Sequence, residues 1–308
     1  MIAHFVVWVE GIRETHPYSD ALIYVAMATN EIALFGDTHI TWRFLIPWVS
    51  NIITGIFGGT GAEGMGIFIG SLNFLIIILA MVLLLRFTFH NDVINAFTIS
   101  TPAWIIVLLP AFWRGAFLPM LEPASFLVYG LILLALWYKN LWGLYLALLI
   151  GIWVKEMILL SVLLVPAFHY ARQEFRLSDY IPFLIAGVVY FGSVALFGTS
   201  SGNYVLNPTA WISDWMNNLQ SFHFSGLRYI ISAFGLGLFF IAWRMYANPG
   251  QRIHKAALAV LALTFVIFLL YTPSNSPRLM FMAMPVLFLF NQSDESLAKS
   301  HEKIVFQE

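Results

Sequence analysis

The chain is a succession of long apolar runs cut by short polar breaks. Crossing about 30 Å of hydrocarbon takes about 20 mostly apolar helical residues, with about 17 as a lower limit. Runs at 66–85, 93–110, 180–198, 229–246 and 256–272 meet that requirement. The stretch 123–171 is apolar except at Lys139-Asn140 and Lys155-Glu156. These breaks predict three short spans, 123–138, 141–154 and 157–171, with two long spans as the alternative. A last span over 278–291 leads into a polar tail from Asn291 to Glu308. The predicted fold class is all-α, a polytopic transmembrane helical bundle of about nine spans.

Before residue 66 the pattern changes. Met1–Val9 is apolar but too short to span, and Ala21–Phe35 reads as an amphipathic helix. Arg43–Phe57 is apolar but interrupted by Pro47, Ser50, Asn51 and Thr54, which predicts a juxtamembrane or half-inserted helix. Either a span precedes residue 1 or residues 43–57 cross after all. The expected organisation is an exoplasmic loop with juxtamembrane helices over 1–65, a transmembrane bundle over 66–291 and a cytoplasmic tail over 292–308.

Composition agrees and excludes other classes. Of 308 residues, 60% are hydrophobic and 10% charged, against about 45–50% and 25% in soluble domains. So few charges cannot cover a water-soluble enzyme, and a disordered chain is excluded by the same numbers. With no Cys, thiolate zinc sites, iron–sulfur clusters and a Cys nucleophile are absent. A formal net charge of −1 gives no ground for nucleic-acid binding. There is no P-loop, no GxGxxG opening a helix, no HExxH and no GxSxG.

The scarce charges set the orientation. Lys and Arg collect in cytoplasmic loops. If the chain enters the cytoplasm after 66–85, then Arg86, Lys139, Arg172, Arg176, Arg244, Arg252, Lys255, Lys299 and Lys303 are all cytoplasmic. The loop 199–226 falls outside and contains no Lys or Arg. The C-terminus is then cytoplasmic.

Six basic residues remain on the exoplasmic side: Arg13, Arg43, Arg114, Lys155, Arg228 and Arg278. Arg43 opens an apolar helix, Arg114 and Glu122 bracket a short Pro-containing loop, and Lys155-Glu156 interrupts an apolar run. Arg228 and Arg278 each open a span. Asp20, Asp37, His16, His39 and His223 lie on the same side. An ionisable group in a span costs about 2.5–3.5 kcal/mol on insertion scales, so such groups face a polar cavity or pair with one another. The pattern predicts one exoplasmic cavity, basic with a few carboxylates. Arg offers phosphate a bidentate fork and Lys a point charge, while the apolar helices suit a lipid tail. A carboxylate beside them serves as base or metal ligand.

Each residue also has a structural reading. Asp20 suits a helix N-cap, Asp37 a turn after Gly36, and Glu122 the first turn of a helix. Arg43 and Arg278 suit the membrane interface. Lys155 and Glu156 could neutralise each other, and His39 could be hydrogen-bonded at the interface.

Four segments in order resemble the polyprenyl-phosphate-sugar-dependent membrane glycosyltransferases of the GT-C fold class. They are Ser19-Asp20-Ala21-Leu22-Ile23-Tyr24, Trp42-Arg43-Phe44-Leu45-Ile46-Pro47-Trp48, the pair of breaks Glu122-Pro123 and Lys155-Glu156, and Pro277-Arg278-Leu279-Met280. The resemblance implies that Asp20 is the general base, taking the proton from the acceptor hydroxyl, with transfer by inversion. It also implies that Arg278, Lys155 and Arg43 hold the lipid phosphate. Asp37, His39, Arg114, Glu122, Glu156 and Arg228 would support the site. Asp20 stands between Ser19 and Ala21 without the paired acid of many members, so no metal site of the oligosaccharyltransferase kind is expected and a divalent metal stays open. The implied partners are a polyprenyl-phosphate-linked sugar donor, a glycan, lipid or protein acceptor, and the bilayer of a bacterial inner (plasma) membrane. A transporter or flippase of lipid-linked saccharides and a non-catalytic GT-C-like assembly protein are the alternatives.

Overall fold

A computed structural model describes residues 20–29, 45–58, 61–89, 96–109, 112, 121–197, 208–220, 225–271 and 279–298. Among the described residues every regular element is helical. The α-helices are α1 (Asp20–Ala28), α2 (Leu45–Ile56), α3 (Ala62–Phe89), α4 (Ala96–Leu108), α5 (Glu122–Trp137) and α6 (Leu141–Val154). They continue as α7 (Leu164–Arg172), α8 (Ile181–Phe197), α9 (Pro208–Gln220), α10 (Ser225–Phe234), α11 (Gly237–Ala247) and α12 (Arg252–Tyr271). Segments Glu156–Leu163, Leu177–Tyr180 and Phe281–Asn291 are 3₁₀-helices.

Among the described residues three helices are long and apolar enough to cross a membrane: Gly64–Thr88 with 25 residues, and Leu177–Ala195 and Arg252–Leu270 with 19 each. They carry large exposed apolar side chains along one side, such as Leu75, Leu79 and Val82 on α3 and Leu184 and Val188 on α8. That suggests a membrane protein, since water would not favour such a surface. The other six expected spans fall on shorter or broken helices. Helix α2, at 12 residues, is about 18 Å long and too short to cross.

The region 122–172 forms three antiparallel rods and not two long ones. Helix α5 ends at a turn where Lys139 takes φ 52. Asn140 then starts α6 by accepting the Gly143 N–H on its side-chain oxygen at 2.9 Å, an N-cap. Helix α6 ends at Lys155, whose backbone is extended at φ −165, ψ 123. The chain runs back through Glu156–Leu163 and α7. A 3₁₀-helix rises about 2.0 Å per residue and an α-helix about 1.5 Å. The 17 residues from Glu156 to Arg172 therefore reach about 30 Å, the hydrocarbon thickness.

The close approach of these rods depends on Gly151. A Cβ there would lie 2.7 Å from Ile158 Cγ2 and 2.8 Å from Val128 Cγ1, both on stiff β-branched side chains. Gly151→Ala should therefore destabilise by about 1–3 kcal/mol through overpacking. Gly187→Ala, where a Cβ meets nothing within 4 Å, should be neutral or stabilising. Unfolding of the two variants in detergent or nanodiscs checks this, and equal effects would rule out the packing account.

Phe281–Asn291 is the strut of the bundle. Every residue from Leu279 to Asn291 is buried, against α5 and α12 above all. Phe281 stacks on Phe126 at 5.0 Å, so this strut runs parallel to α5. The sequence leads one to expect an α-helical last span here; the structure has a 3₁₀ strut with Pro285 inside, a residue with no N–H to give. Below the strut, Asp294 accepts the N–H groups of Arg252 and Ile253 at 2.9 and 3.0 Å. It thereby caps α12 from outside its own helix.

One end of the bundle carries the described cations expected in the cytoplasm. Lys139 donates to Glu174 at 2.6 Å, and Arg176 also donates to Glu174. Arg172 donates to the Leu136 and Trp137 carbonyls at 2.6 and 2.8 Å, satisfying the last turn of α5. Arg244 donates to the Phe290 carbonyl at 2.6 Å, and Arg252 lies 3.6 Å from Asp294. His169 and Asp179 are hydrogen-bonded there at 3.0 Å.

Glu174 responds to acid in a defined way. The hydrogen bond from Lys139, opposed by desolvation and helped by Arg176, pulls its carboxyl down to about 2. A depressed folded-state value means stability that is present above the ordinary carboxylate range and lost as pH falls through about 2. The carboxylate is partly exposed, so the effect is modest. The stability difference between wild type and Glu174→Gln should be constant above pH ~5 and vanish towards pH ~2. A difference that persists at the acid end would disprove the pairing.

Candidate functional site

The opposite end holds the elements that the sequence marks for chemistry. Glu122 is the first residue of α5, followed by Pro123. Lys155 sits at the break after α6. The antiparallel packing of α5 and α6 brings them together, and Lys155 Nζ donates to Glu122 Oε1 at 2.8 Å. Their side chains are only 3% and 4% exposed. The structural reading of the break pairs Lys155 with its neighbour Glu156; the structure gives Lys155 a partner 33 residues earlier in the chain. Glu156 follows as the first residue of the 3₁₀-helix, half-buried.

Helix α1, which opens with Asp20, docks beside this pair. Tyr24, one turn after Asp20, packs with Leu121, Ala124 and Val154. Leu121 precedes Glu122, and Val154 precedes Lys155. Leu45 and Ile46, just after Arg43, pack on the same cluster. The Asn51 amide donates to the Ala28 carbonyl, which ties α2 to the C-terminal end of α1. The strut contributes as well: Leu279 and Met280, next after Arg278, are buried, and Phe281 meets Phe126, one turn beyond Glu122. The described parts of all four sequence segments converge on the N-terminal turn of α5.

Five of the expected residues, Asp37, His39, Arg43, Arg114 and Arg278, lie outside the described residues. The side chains of Asp20 and Arg228 do as well, although Asp20 opens α1 and Arg228 falls in the first turn of α10. Lys155, Glu122 and Glu156 are described and lie together.

Sequence reasoning passed over Asn73. It is fully buried in α3, between Ile69, which packs with Val25 and Ala28 of α1, and Ile76, which packs with Tyr24 and Leu121. The signal was available: it is a lone amide in an otherwise apolar run, where a polar side chain is costly to bury unless it is hydrogen-bonded. Ser50, Thr54 and Ser125 are further buried polar residues on α2 and α5. The Thr54 and Ser125 hydroxyls bond back to the carbonyls of Ser50 and Leu121, four residues earlier, at 2.8 and 3.0 Å.

The arrangement brings a buried cation and a buried carboxylate together at one end of the bundle. Lys155 supplies a positive charge that is kept from water, where a charge–charge interaction is strong. The N-terminus of α5 supplies a partial positive charge beside it. A comparison of the chain with protein-family models, with curated proteins and with solved structures finds no match.

Proposed function

We propose that the chain is an integral membrane glycosyltransferase that moves a sugar from a polyprenyl-phosphate donor to an acceptor at the exoplasmic face. The observation that supports this best is the buried Lys155–Glu122 pair beside the helix that opens with Asp20. A buried cation at the end of a lipid-facing bundle suits a lipid-borne phosphate, and a carboxylate within the same cluster of elements suits a base.

In this reading Asp20 takes the proton from the acceptor hydroxyl. The acceptor oxygen attacks the anomeric carbon from the face opposite the phosphate, the bond from that carbon to the phosphate oxygen breaks, and the configuration inverts. The bonding pair leaves with the polyprenyl phosphate. Lys155, with Arg278 and Arg43, meets the charge that grows there, which is electrostatic stabilisation of the transition state. Asp37, His39, Arg114, Glu122, Glu156 and Arg228 shape the polar surroundings. The opposite end, rich in Arg and Lys, is then cytoplasmic.

The test is reconstitution in liposomes with a set of polyprenyl-phosphate sugars and a membrane extract as acceptor. Release of polyprenyl phosphate with a new, inverted glycosidic bond is expected. Movement of intact donor between leaflets without bond cleavage would replace this reading with a flippase.

A further inference from the structure

We infer that α2 is a half-membrane segment: it descends beside α3 into the leaflet at this end of the bundle, its outer face lies against acyl chains, and the Lys155–Glu122 pair sits at its foot, below the membrane surface. This goes beyond the function proposed above and holds whatever chemistry the pair serves.

The polarity of α2 is inverted. Trp48, Ile52 and Ile56, spaced four apart on one side of the helix, are 55%, 42% and 73% exposed. Ser50 and Thr54 are buried, and the Asn51 amide turns inward to the Ala28 carbonyl. A helix on an aqueous surface does the reverse and shows its polar side to the solvent. No charged residue stands between Arg43 and Glu63, so the outer face offers water or a charged partner nothing to pair with. Acyl chains are the medium it fits, as they are for Leu75 and Leu79 on the outer side of α3. On the inner side of α2 lies α1, buried at Tyr24, Val25, Ala26 and Ala28. Helix α2 is thus the layer between α1 and the lipid.

Contacts along α3 set the depth. Helix α2 ends in a turn at Gly58, φ 97, and the chain reaches at most about 14 Å from there to Ala62. The C-terminal end of α2 therefore lies at the head of α3. The other end is lower. Ile46 packs on Met65 and Ile69 of α3, and also on the cluster of Tyr24, Leu121 and Val154 that Ile76 joins. Leu121 and Val154 immediately precede Glu122 and Lys155. Ile76 is about 18 Å along α3 from Gly64, the first residue of that span, and α2 is about as long. From the opposite end, α5 runs only about 24 Å from Glu122 to Trp137, and Trp137 meets Phe87 near the far end of α3. Both measures stop the pair short of a hydrocarbon layer about 30 Å thick. The first turns of α3, with α1 and α2, stand above it. Pro47, buried in the first turn of α2, suits the descent, because it removes one of the N–H groups that a helix start inside lipid leaves without a helical partner.

The chain has no Cys, so a thiol placed on α2 is the only one. Trp48→Cys, Ile52→Cys and Ile56→Cys, each carrying a nitroxide, are read as full-length protein in nanodiscs. The readout is collision with oxygen, which concentrates in hydrocarbon, against collision with a water-soluble nickel chelate. Leu79→Cys on α3 and Glu295→Cys after the strut, both at exposed positions, are the lipid and water references. All three α2 labels should favour oxygen, as at position 79 and opposite to position 295, and the oxygen-to-nickel ratio should fall stepwise from 48 to 56. A nickel-rich ratio at 48 and 52 puts α2 in water and overturns the assignment. Equal ratios at all three make α2 a flat surface helix and overturn the recess of the pair. Poor access to both reagents, with dipolar broadening between labels, puts a second copy on this face and overturns the lipid contact. Trp48 gives a further reading without a label: lipids brominated at mid-chain should take more fluorescence from wild type than from Trp48→Phe, and an equal loss from both overturns the lipid contact.

Discussion

Asp20→Asn should slow sugar transfer by about 10²–10⁴-fold, the usual contribution of a general base, and leave folding intact. Folding should survive for local reasons. Asp20 opens α1, and Asn serves as well as Asp at a helix N-terminus. The rest of α1 is held by Tyr24, Val25, Ala26 and Ala28, which are buried. A neutral amide of nearly the same shape therefore keeps the helix and its docking. What it cannot do is accept a proton. Donor affinity should stay close to wild type, because the proposed function gives the phosphate to cations and not to Asp20. Asp20→Glu, which restores a carboxylate one methylene further out, should recover part of the rate; Asp20→Ala should lose both rate and some stability. The decisive measurement is single-turnover transfer at saturating donor. A wild-type rate in Asp20→Asn would reduce Asp20 to a helix cap and reject the mechanism.

The breaks in the apolar pattern were the most legible part of the fold. Lys139-Asn140 and Lys155-Glu156 interrupt a long hydrophobic run, and a cation there is costly enough to mark a turn. The structure places turns at both and so separates three rods from two. The partner of Lys155 was not legible. Its nearest acid in sequence is Glu156, whereas Glu122 comes within reach only because α5 and α6 pack antiparallel, and no local pattern encodes which residues two helices place opposite each other.

The strut was half legible. An apolar run over 278–291 predicts burial, but apolar composition is the same for an α-helix and a 3₁₀-helix, and the choice is made by the neighbours that surround it. Asn73 was legible and overlooked. It lacks a charge, so an orientation argument built on Lys and Arg does not register it. Arg86 and Lys139 were easier to place for the opposite reason: Phe87 meets Trp137 edge-on at 4.9 Å, which puts the two breaks at one end, as the distribution of cations requires.

The coupling between Lys155 and Glu122 should be a large energetic effect, because both side chains are buried. Lys155→Met takes the Nζ donor from the buried Glu122 carboxylate, and Glu122→Leu takes the Oε1 acceptor from the buried Lys155 ammonium. Each single substitution should destabilise by about 3–5 kcal/mol. The double substitution removes both charges and fills the space with apolar side chains of similar size. It should recover most of that loss, because a buried ion pair replaced by well-packed apolar residues is often neutral or stabilising. Tyr24, Leu121, Ala124 and Val154 already form an apolar surround that would accept them. Unfolding of the four proteins, followed by Trp fluorescence in the same detergent, gives the coupling energy directly. Additive losses in the double variant would mean that the two side chains act independently. Stability and chemistry should then part company: the double variant should fold and insert like wild type yet fail to transfer sugar. If the pair served only to hold α5 against α6, replacing it with apolar packing would restore activity together with stability.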